Sequence, residues 1–389
     1  MAHRRKRNFV LLSLASFGGG LVCFPLTPMH FNDVRLQYES LQDEIDGAIR
    51  DVLLSGRYIL GPATRAFEEQ FARYTQTAEA IAVASGTDAL TIALRALEVG
   101  PGDEVLVPAI SAAATAMSVA LVGARPVFVD VSLDDFNIDP AQCLERKTAR
   151  TKAIIPVHLY GMPARLKEVS RAGITIVEDA AQAHGSDASW GRCGTFGLAA
   201  AFSFYPTKNL GTYGDGGMIV TSDSALASKA RLVRNYGQRE NYVSEAFGQN
   251  SRLDELHAAI LRLKLRRLDE WNSRRRTIAA KYRAAFREIP VGLQSETGAS
   301  NYHLFVITTP QRDKLRAYLH ESGIPTLIHY AYPLHRQKAF EEFGAARCPN
   351  ADLLCSRLLS LPMHAFLTDG EVDRVIDGVR GFFKRRHAE

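Results

Sequence analysis

Lys208 stands where a buried strand gives out. The run Leu198 to Phe204 is apolar, Pro206 stops it, and beyond the lysine Gly211, Gly214, Gly216 and Gly217 crowd one short segment. This pattern predicts a strand that delivers a single amine into a glycine-rich turn. A lysine held beside packed aromatic rings loses hydration, which favours its neutral form and arms it to attack a carbonyl carbon. Schiff-base formation is the chemistry that such a residue suits.

Upstream, Thr175-Ile176-Val177 runs into Glu178 and Asp179, followed by Ala180, Ala181, Gln182, Ala183 and His184. A carboxylate at the carboxyl end of a strand in an α/β sheet points into the crevice where ligands bind. Asp179 is therefore expected to face a cationic ring nitrogen. Pyridoxal phosphate requires that partner, because the carboxylate keeps the pyridine nitrogen protonated and the ring an electron sink. Gln182 shares the face of Asp179 if the chain turns helical after the strand. Further upstream, the short strand Ala80 to Ala84 leads through Ser85-Gly86-Thr87 into the helical stretch Asp88 to Leu97. Free N–H groups at such a helix start form an anion site, expected here to hold the cofactor phosphate with help from Ser203.

Taken in order, Ser85-Gly86-Thr87-Asp88-Ala89-Leu90, the segments around Asp179, Ser203 and Lys208, and Gly248-Gln249-Asn250-Ser251-Arg252 resemble the nucleotide-sugar aminotransferases of the fold-type I PLP enzymes, often called the DegT family. The match is collinear from about Phe31 almost to the carboxyl end. The resemblance implies Lys208 as the catalytic, cofactor-bearing lysine, with Asp179 and Gln182 at the ring and Gly86, Thr87 and Ser203 at the phosphate. It implies that Asn250 reaches the phosphate of a second subunit, hence a homodimer with shared sites, and that the loop from Asn235 to Asn250 extends toward the neighbouring site. His184, Tyr213, His329 and Tyr330 are its substrate candidates.

The same resemblance implies glutamate as amino donor and a nucleotide-linked keto-sugar as acceptor, in a cytoplasmic enzyme of polysaccharide biosynthesis. The glycine run Gly214-Asp215-Gly216-Gly217 lacks the glutamate of relatives that act at C4. It favours amination at C3 of a dTDP-linked 3-keto-6-deoxyhexose. Relatives that are sugar dehydratases generally carry histidine in place of Lys208, so Lys208 argues for transamination. A PLP-binding dehydratase or a non-catalytic, regulatory PLP-binding protein is the alternative, because Ala112 stands where the family usually stacks an aromatic on the pyridine ring. Such a stack is worth about 0.5–1.5 kcal/mol, small beside a covalent link and a phosphate site. His184 is a candidate to cover that face.

Strands alternate with helical stretches, which predicts an α/β fold with a mostly parallel sheet. The resemblance sharpens this to the PLP-dependent transferase fold type I, with a large domain at 29–270 and a smaller α+β carboxyl-terminal domain at 271–389. Residues 1–28 form an extension. Arg4 to Arg7 followed by the apolar run Phe9 to Phe24 imitates a signal peptide, yet Gly18-Gly19-Gly20 interrupts the run and no small-x-small cleavage site follows. That run is also shorter than the roughly 20 residues of a membrane span. A start at Met29 and a signal-like segment both remain open readings.

The chain has 389 residues and is 46% hydrophobic, ample for two domains. Of its net charge of +5, Arg4, Arg5, Lys6 and Arg7 account for nearly all, which argues against a nucleic-acid surface. Cys23, Cys143, Cys193, Cys348 and Cys355 form no Cys-x-x-Cys pair, and His329 and His335 lack accompanying acids or cysteines, so no metal site is expected. His158 and Tyr160, just past a strand end, are expected to serve structural hydrogen bonds. Arg274-Arg275-Arg276 is read as a solvated helix face or ion-pair partner. The glycine-rich turn fits neither a Gly-x-Gly-x-x-Gly fingerprint nor a Walker pattern.

Overall fold

The computed structural model describes residues 12–17, 20–25, 29–239, 242–344 and 346–385. Its centre is a seven-stranded sheet in the order Glu79–Val83, Gly217–Thr221, Ala199–Ser203, Thr175–Asp179, Thr151–Ile154, Glu104–Pro108, Arg125–Val129. All strands run parallel except Gly217–Thr221, which is antiparallel to both neighbours. The strands are short and apolar on both faces because helices cover both. Alternation along them divides the core. Ile81, Val83, Ala199, Ala201 and Ile219 pack toward the helix Gly86–Ala96, whereas Ala80, Ala82, Ala200, Phe202, Met218 and Val220 meet Phe67 and Phe71 of the helix Pro62–Thr75. Phe71 sets its ring edge-on to Phe202 and Phe204, with centroids 5.1 and 5.4 Å away.

Two adjacent acids end the Thr175–Asp179 strand, and the strand period sends them to opposite faces. Glu178 is wholly buried on the face away from Lys208's turn and acts as a clasp. Its Oε2 accepts from His158 Nε2 and Gly194 N, both at 2.8 Å, and its Oε1 from Phe196 N at 2.8 Å and Gly197 N at 2.7 Å. His158 Nδ1 accepts from Ala164 N at 3.0 Å, which leaves the ring proton on Nε2 for Glu178. One carboxylate thus ties two segments, at His158 and at Gly194 to Gly197, to the strand that presents Asp179.

A second core gathers Ile278, Ala279, Tyr282 and Phe286 with Phe305, Ile307, Leu359 and Leu361 from the antiparallel strands Phe305–Thr308 and Leu358–Leu361, and with Val372, Val375 and Val379 of the helix Asp369–Arg385. The boundary expected near residue 271 falls inside one helix, Leu268–Phe286. Leu268 at its start packs with Phe202 and Phe204, and Ile278 onward packs in the second core. Met29 also lies in that second core. Expectations for residues 1–28 fall largely outside the described residues, which include only the antiparallel pairing of Leu12–Phe17 with Gly20–Pro25. Among the described residues no helix is long and apolar enough to cross a membrane.

The arginine run is corrected in part: Arg274 pairs with Asp369, as the ion-pair reading expects, but Arg275 does not face solvent. Arg275 is 2% exposed, and its NH1 donates to the carbonyls of Tyr302, His303 and Met363 at 3.2, 3.3 and 2.9 Å. Arg276 donates to Ser300 O and Gly185 O, and Arg274 to Leu367 O and Asp369. A guanidinium's fork of donors suits chain carbonyls at a join between two cores, so Arg275 and Arg276 stitch backbone segments together.

Glu178→Leu removes the acceptor for three buried backbone N–H groups and one imidazole. Urea unfolding is expected to show a loss of about 3 kcal/mol or more, because each buried donor left unpaired costs about 1–3 kcal/mol.

Candidate active site

The turn after the Ala199–Ser203 strand is closed by Lys208 N to Tyr205 O at 2.9 Å and Thr212 N to Phe204 O at 2.8 Å. Gly211 permits it, since a Cβ there would come 2.5 Å from Pro206 O and 2.7 Å from Tyr205 O. Lys264, itself wholly buried, pins the far side of the turn. Its Nζ donates to Gly211 O at 2.8 Å and Gln37 Oε1 at 3.3 Å, and lies 3.9 Å from the centre of the Tyr213 ring. Burial lowers the Lys264 pKa to about 7. Lys208 is half-buried, and its amine has no hydrogen bond or ion pair among the described residues. Burial drives its pKa down to about 8, against the pull of the Asp179 charge.

Asp179 is 5% exposed. Thr115 Oγ1 donates to its Oδ2 at 2.7 Å and Ala181 N to its Oδ1 at 3.2 Å. Burial raises its pKa, opposed first by the Thr115 hydrogen bond and then by the Ala181 N–H and by Lys208 and His158. After Asp179 the chain makes tight turns, with Ala183 N on Ala180 O at 2.9 Å, and not the helix that would have brought Gln182 round. Gln182 arrives beside the crevice all the same. Its Oε1 accepts from Tyr160 N at 2.7 Å and its Nε2 donates to Tyr330 OH at 3.3 Å. Burial raises the Tyr330 pKa to about 12.

The helix Gly86–Ala96 begins under this crevice, with Ser85 as N-cap accepting from Asp88 N at 3.1 Å. A Cβ on Gly86 would lie 2.7 Å from Ser203 Cβ, and one on Gly217 would strike the Ser85 carbonyl. The sheet and the helix start therefore approach as closely as glycine allows. Ser203 Oγ accepts from Tyr205 N at 3.3 Å, which leaves its own proton free to donate. Thr87 completes the first turn. These groups form a small, donor-rich cradle.

The substrate candidates divide. His329, with Nδ1 on Ser360 Oγ at 2.9 Å, adjoins Tyr330, and burial lowers its pKa to about 4, with the Lys208 charge adding to the effect. Tyr213 is 38% exposed and packs on Lys264 and, edge-on, Tyr38. His184 lies buried beside the strand end. It is 1% exposed, its ring lies 5.2 and 5.9 Å from those of Phe202 and Phe204, and burial lowers its pKa to about 3. Ala112 caps the helix Ala113–Leu121 and leaves that side without an aromatic of its own. Asn250 is exposed, whereas its neighbours turn inward to the cradle helix, Gln249 Nε2 to Asp88 Oδ1 at 3.2 Å and Ser251 Oγ to Asp88 Oδ2 at 2.6 Å. Alternation along this extended segment sends Asn250 away from its own cradle. Thr115, Lys264, Asn209 and His303 were not foreseen. Thr115, Lys264 and His303 reach the site by contacts distant in sequence, and Asn209, next to Lys208, is held there by partners far along the chain.

A family model for the DegT/DnrJ/EryC1/StrS aminotransferase family matches residues 39–380. The chain belongs to this family. A Streptomyces venezuelae relative named dTDP-3-amino-3,4,6-trideoxy-alpha-D-glucose transaminase is 46% identical over 364 residues, 91% of this chain and 96% of its own. The solved structure of S. venezuelae DesV in complex with a ketimine intermediate superposes with a TM-score of 0.89 at 45% identity, covering 92% of this chain and 99% of that one. The PLP form of a sugar aminotransferase from Streptococcus pneumoniae, Spr1654, superposes with a TM-score of 0.83 at 27% identity, covering 88% and 96%. This DegT/DnrJ/EryC1/StrS aminotransferase thus has the fold type I architecture and uses pyridoxal phosphate.

Gly86→Ala is expected to weaken pyridoxal phosphate binding about tenfold or more, with unfolding still cooperative, because the added methyl pushes Ser203 from the helix start. Equilibrium titration of the apoenzyme with the cofactor measures it.

Proposed function

We propose that this aminotransferase carries its cofactor on Lys208 and transfers an amino group from glutamate to C3 of a dTDP-linked 3-keto-6-deoxyhexose. The observation that carries the reading is the desolvated, unpartnered Lys208 amine opposite buried Asp179, above the cradle of Gly86 and Ser203. A pyridine ring with a phosphate arm fits these residues. Gly86, Thr87 and Ser203 would bind the phosphate, Asp179 the ring nitrogen, and Gln182, with Tyr330 behind it, the ring's 3-hydroxyl edge. When bound, the cofactor supplies a conjugated electron sink and a carbonyl carbon that accepts and returns the amino group.

The chain's own groups supply the rest. Neutral Lys208 Nζ would take the proton from the donor Cα and pass it on within the same half-reaction, and would deliver a proton to the sugar carbon in the second half. Asp179 keeps its partner nitrogen protonated. Neutral His184 and His329 bring no competing positive charge to the lysine. The choice of C3 and of dTDP is supported by the glycine run without glutamate and by the S. venezuelae relative. A homodimer with shared sites is supported by the outward Asn250 and by Tyr242 and Phe247, 93% and 102% exposed on the same loop. That loop flanks a cleft of about 570 Å³ lined by Ile59, Tyr236, Arg239, Tyr242 and Arg252. A cytoplasmic enzyme would share its compartment with nucleotide sugars. Ala112 favours one second reading, a PLP-binding dehydratase or a non-catalytic regulator.

Protein beginning at Met29 is expected to show a visible absorption band that bleaches with glutamate, and Lys208→Ala to lack the lysine-linked form. A band that stays unchanged with glutamate and every other amino donor would support the second reading, and protein that binds no pyridoxal phosphate would sink both. The rate at which apoenzyme captures pyridoxal phosphate is expected to rise with pH through a midpoint near 8, because only the neutral amine attacks. Stopped-flow absorbance between pH 6 and pH 11 measures it, and a midpoint near 10.5 would show an ordinary hydrated lysine.

A further inference from the structure

His303 lies beside the lysine turn and takes no part in the steps above. Its partner is Asn209, the residue after Lys208, which is 2% exposed and held by three contacts. Asn209 Nδ2 donates to Asn301 O at 3.1 Å and to Asn272 Oδ1 at 2.9 Å. Asn272 Nδ2 is itself committed to His184 O at 2.8 Å. These acceptors fix which end of the Asn209 amide is nitrogen, so its Oδ1 faces His303 Nδ1 at 3.2 Å. An amide oxygen only accepts, and the imidazole proton therefore lies on Nδ1.

The ring is anchored from its own backbone as well. His303 N donates to Asn301 Oδ1 at 3.0 Å, and His303 O accepts from Arg275 NH1 at 3.3 Å. The charged and titratable groups facing the ring are Lys208, Arg275, His329 and His184, and together with burial they hold it neutral, well below the usual histidine range. A neutral, singly protonated ring with a defined tautomer makes a directional donor.

We infer that His303 is a positioning residue for Lys208, acting through Nδ1–H on Asn209 to fix the backbone from which the lysine side chain springs. The inference rests on Lys208 being the cofactor-linked lysine. Among the described residues the Lys208 amine has no hydrogen bond or ion pair to place it, so its location follows from the turn that carries it. Lys264 fixes that turn at Gly211, and His303, with Asn272 and Asn301, fixes it at the residue next to the lysine. A shift of about 1 Å in a reacting group can cost about a hundredfold in rate.

The test compares His303→Asn, His303→Gln and His303→Phe as holoenzymes, with Lys208→Ala alongside. Asparagine Nδ2 superposes on imidazole Nδ1, whereas glutamine Nε2 superposes on imidazole Nε2. The readouts are the pH midpoint of the visible absorption of the lysine-linked cofactor, and kcat and KM for glutamate. H303N is expected to keep the midpoint within about half a unit, while H303Q and H303F move it by about one unit and lower kcat about tenfold to a hundredfold with little change in KM. If H303Q keeps wild-type behaviour and H303N loses it, the ring acts through Nε2 and the inference falls. It falls equally if none of the three moves the midpoint. Should H303F fail to fold, the Asn and Gln variants decide between themselves. Persistence of the lysine-linked absorption in K208A would overturn the assignment of Lys208 and the inference with it, whereas its loss in K208A beside unchanged H303 spectra would overturn the inference alone.

Discussion

Burial of one amine opposite one carboxylate is the constraint on which the rest of this chain depends. In water both Lys208 and Asp179 would be fully ionised. Inside the crevice, desolvation is the largest influence on each and moves the two pKa values toward one another, the lysine down and the aspartate up, despite their mutual attraction. Among the described residues neither has the close ion pair that would relieve this cost. The molecule maintains it through the groups around the pair: Thr115 on the carboxylate, Lys264 on Gly211, Asn209 clamped on three sides, and Glu178 on the strand beneath. A site held this way is ready for a ligand that brings its own charges, negative at the helix start and positive at Asp179.

The two acids at the end of one strand show how little sequence neighbours need share. Asp179 and Glu178 differ by one methylene and lie side by side in the chain. Pleating sends one to the crevice and the other to a nest of N–H groups on the opposite face. The same alternation separates Asn250 from Gln249 and Ser251. In both places a two-residue period divides groups that serve chemistry from groups that serve structure.

This period explains what the sequence disclosed. Apolar runs ending in glycine, acid or small residues located the Lys208 turn, the Asp179 strand end and the Ser85-Gly86-Thr87 helix start, because all three are local patterns that recur wherever strands feed a crevice. The structure brings those three segments together. What stayed hidden depends on distance along the chain. Nothing near Lys264 marks it as the anchor of Gly211, and His303 is tied to Asn209 across an interval far longer than any motif. Arg274-Arg275-Arg276 read as a solvated face or ion-pair partner, yet the middle residue is buried against three carbonyls supplied by segments that only the folded chain brings near. His184, adjacent to the functional strand end, faces phenylalanines, since the turns after Asp179 direct it into the core.

The single reversed strand has a consequence for how the molecule comes into being. Glu79–Val83 touches the rest of the sheet only through Gly217–Thr221, the last of the seven strands to be made. During synthesis, the first strand must wait for about 130 further residues before its neighbour in the sheet is made. One side of the cradle depends on the same strand, because Ser85 meets Gly217 there, whereas Gly86 meets Ser203 on the neighbouring strand Ala199–Ser203. The strand that completes the sheet is thus also the one that packs its glycine against the Ser85 end of the anion-binding corner.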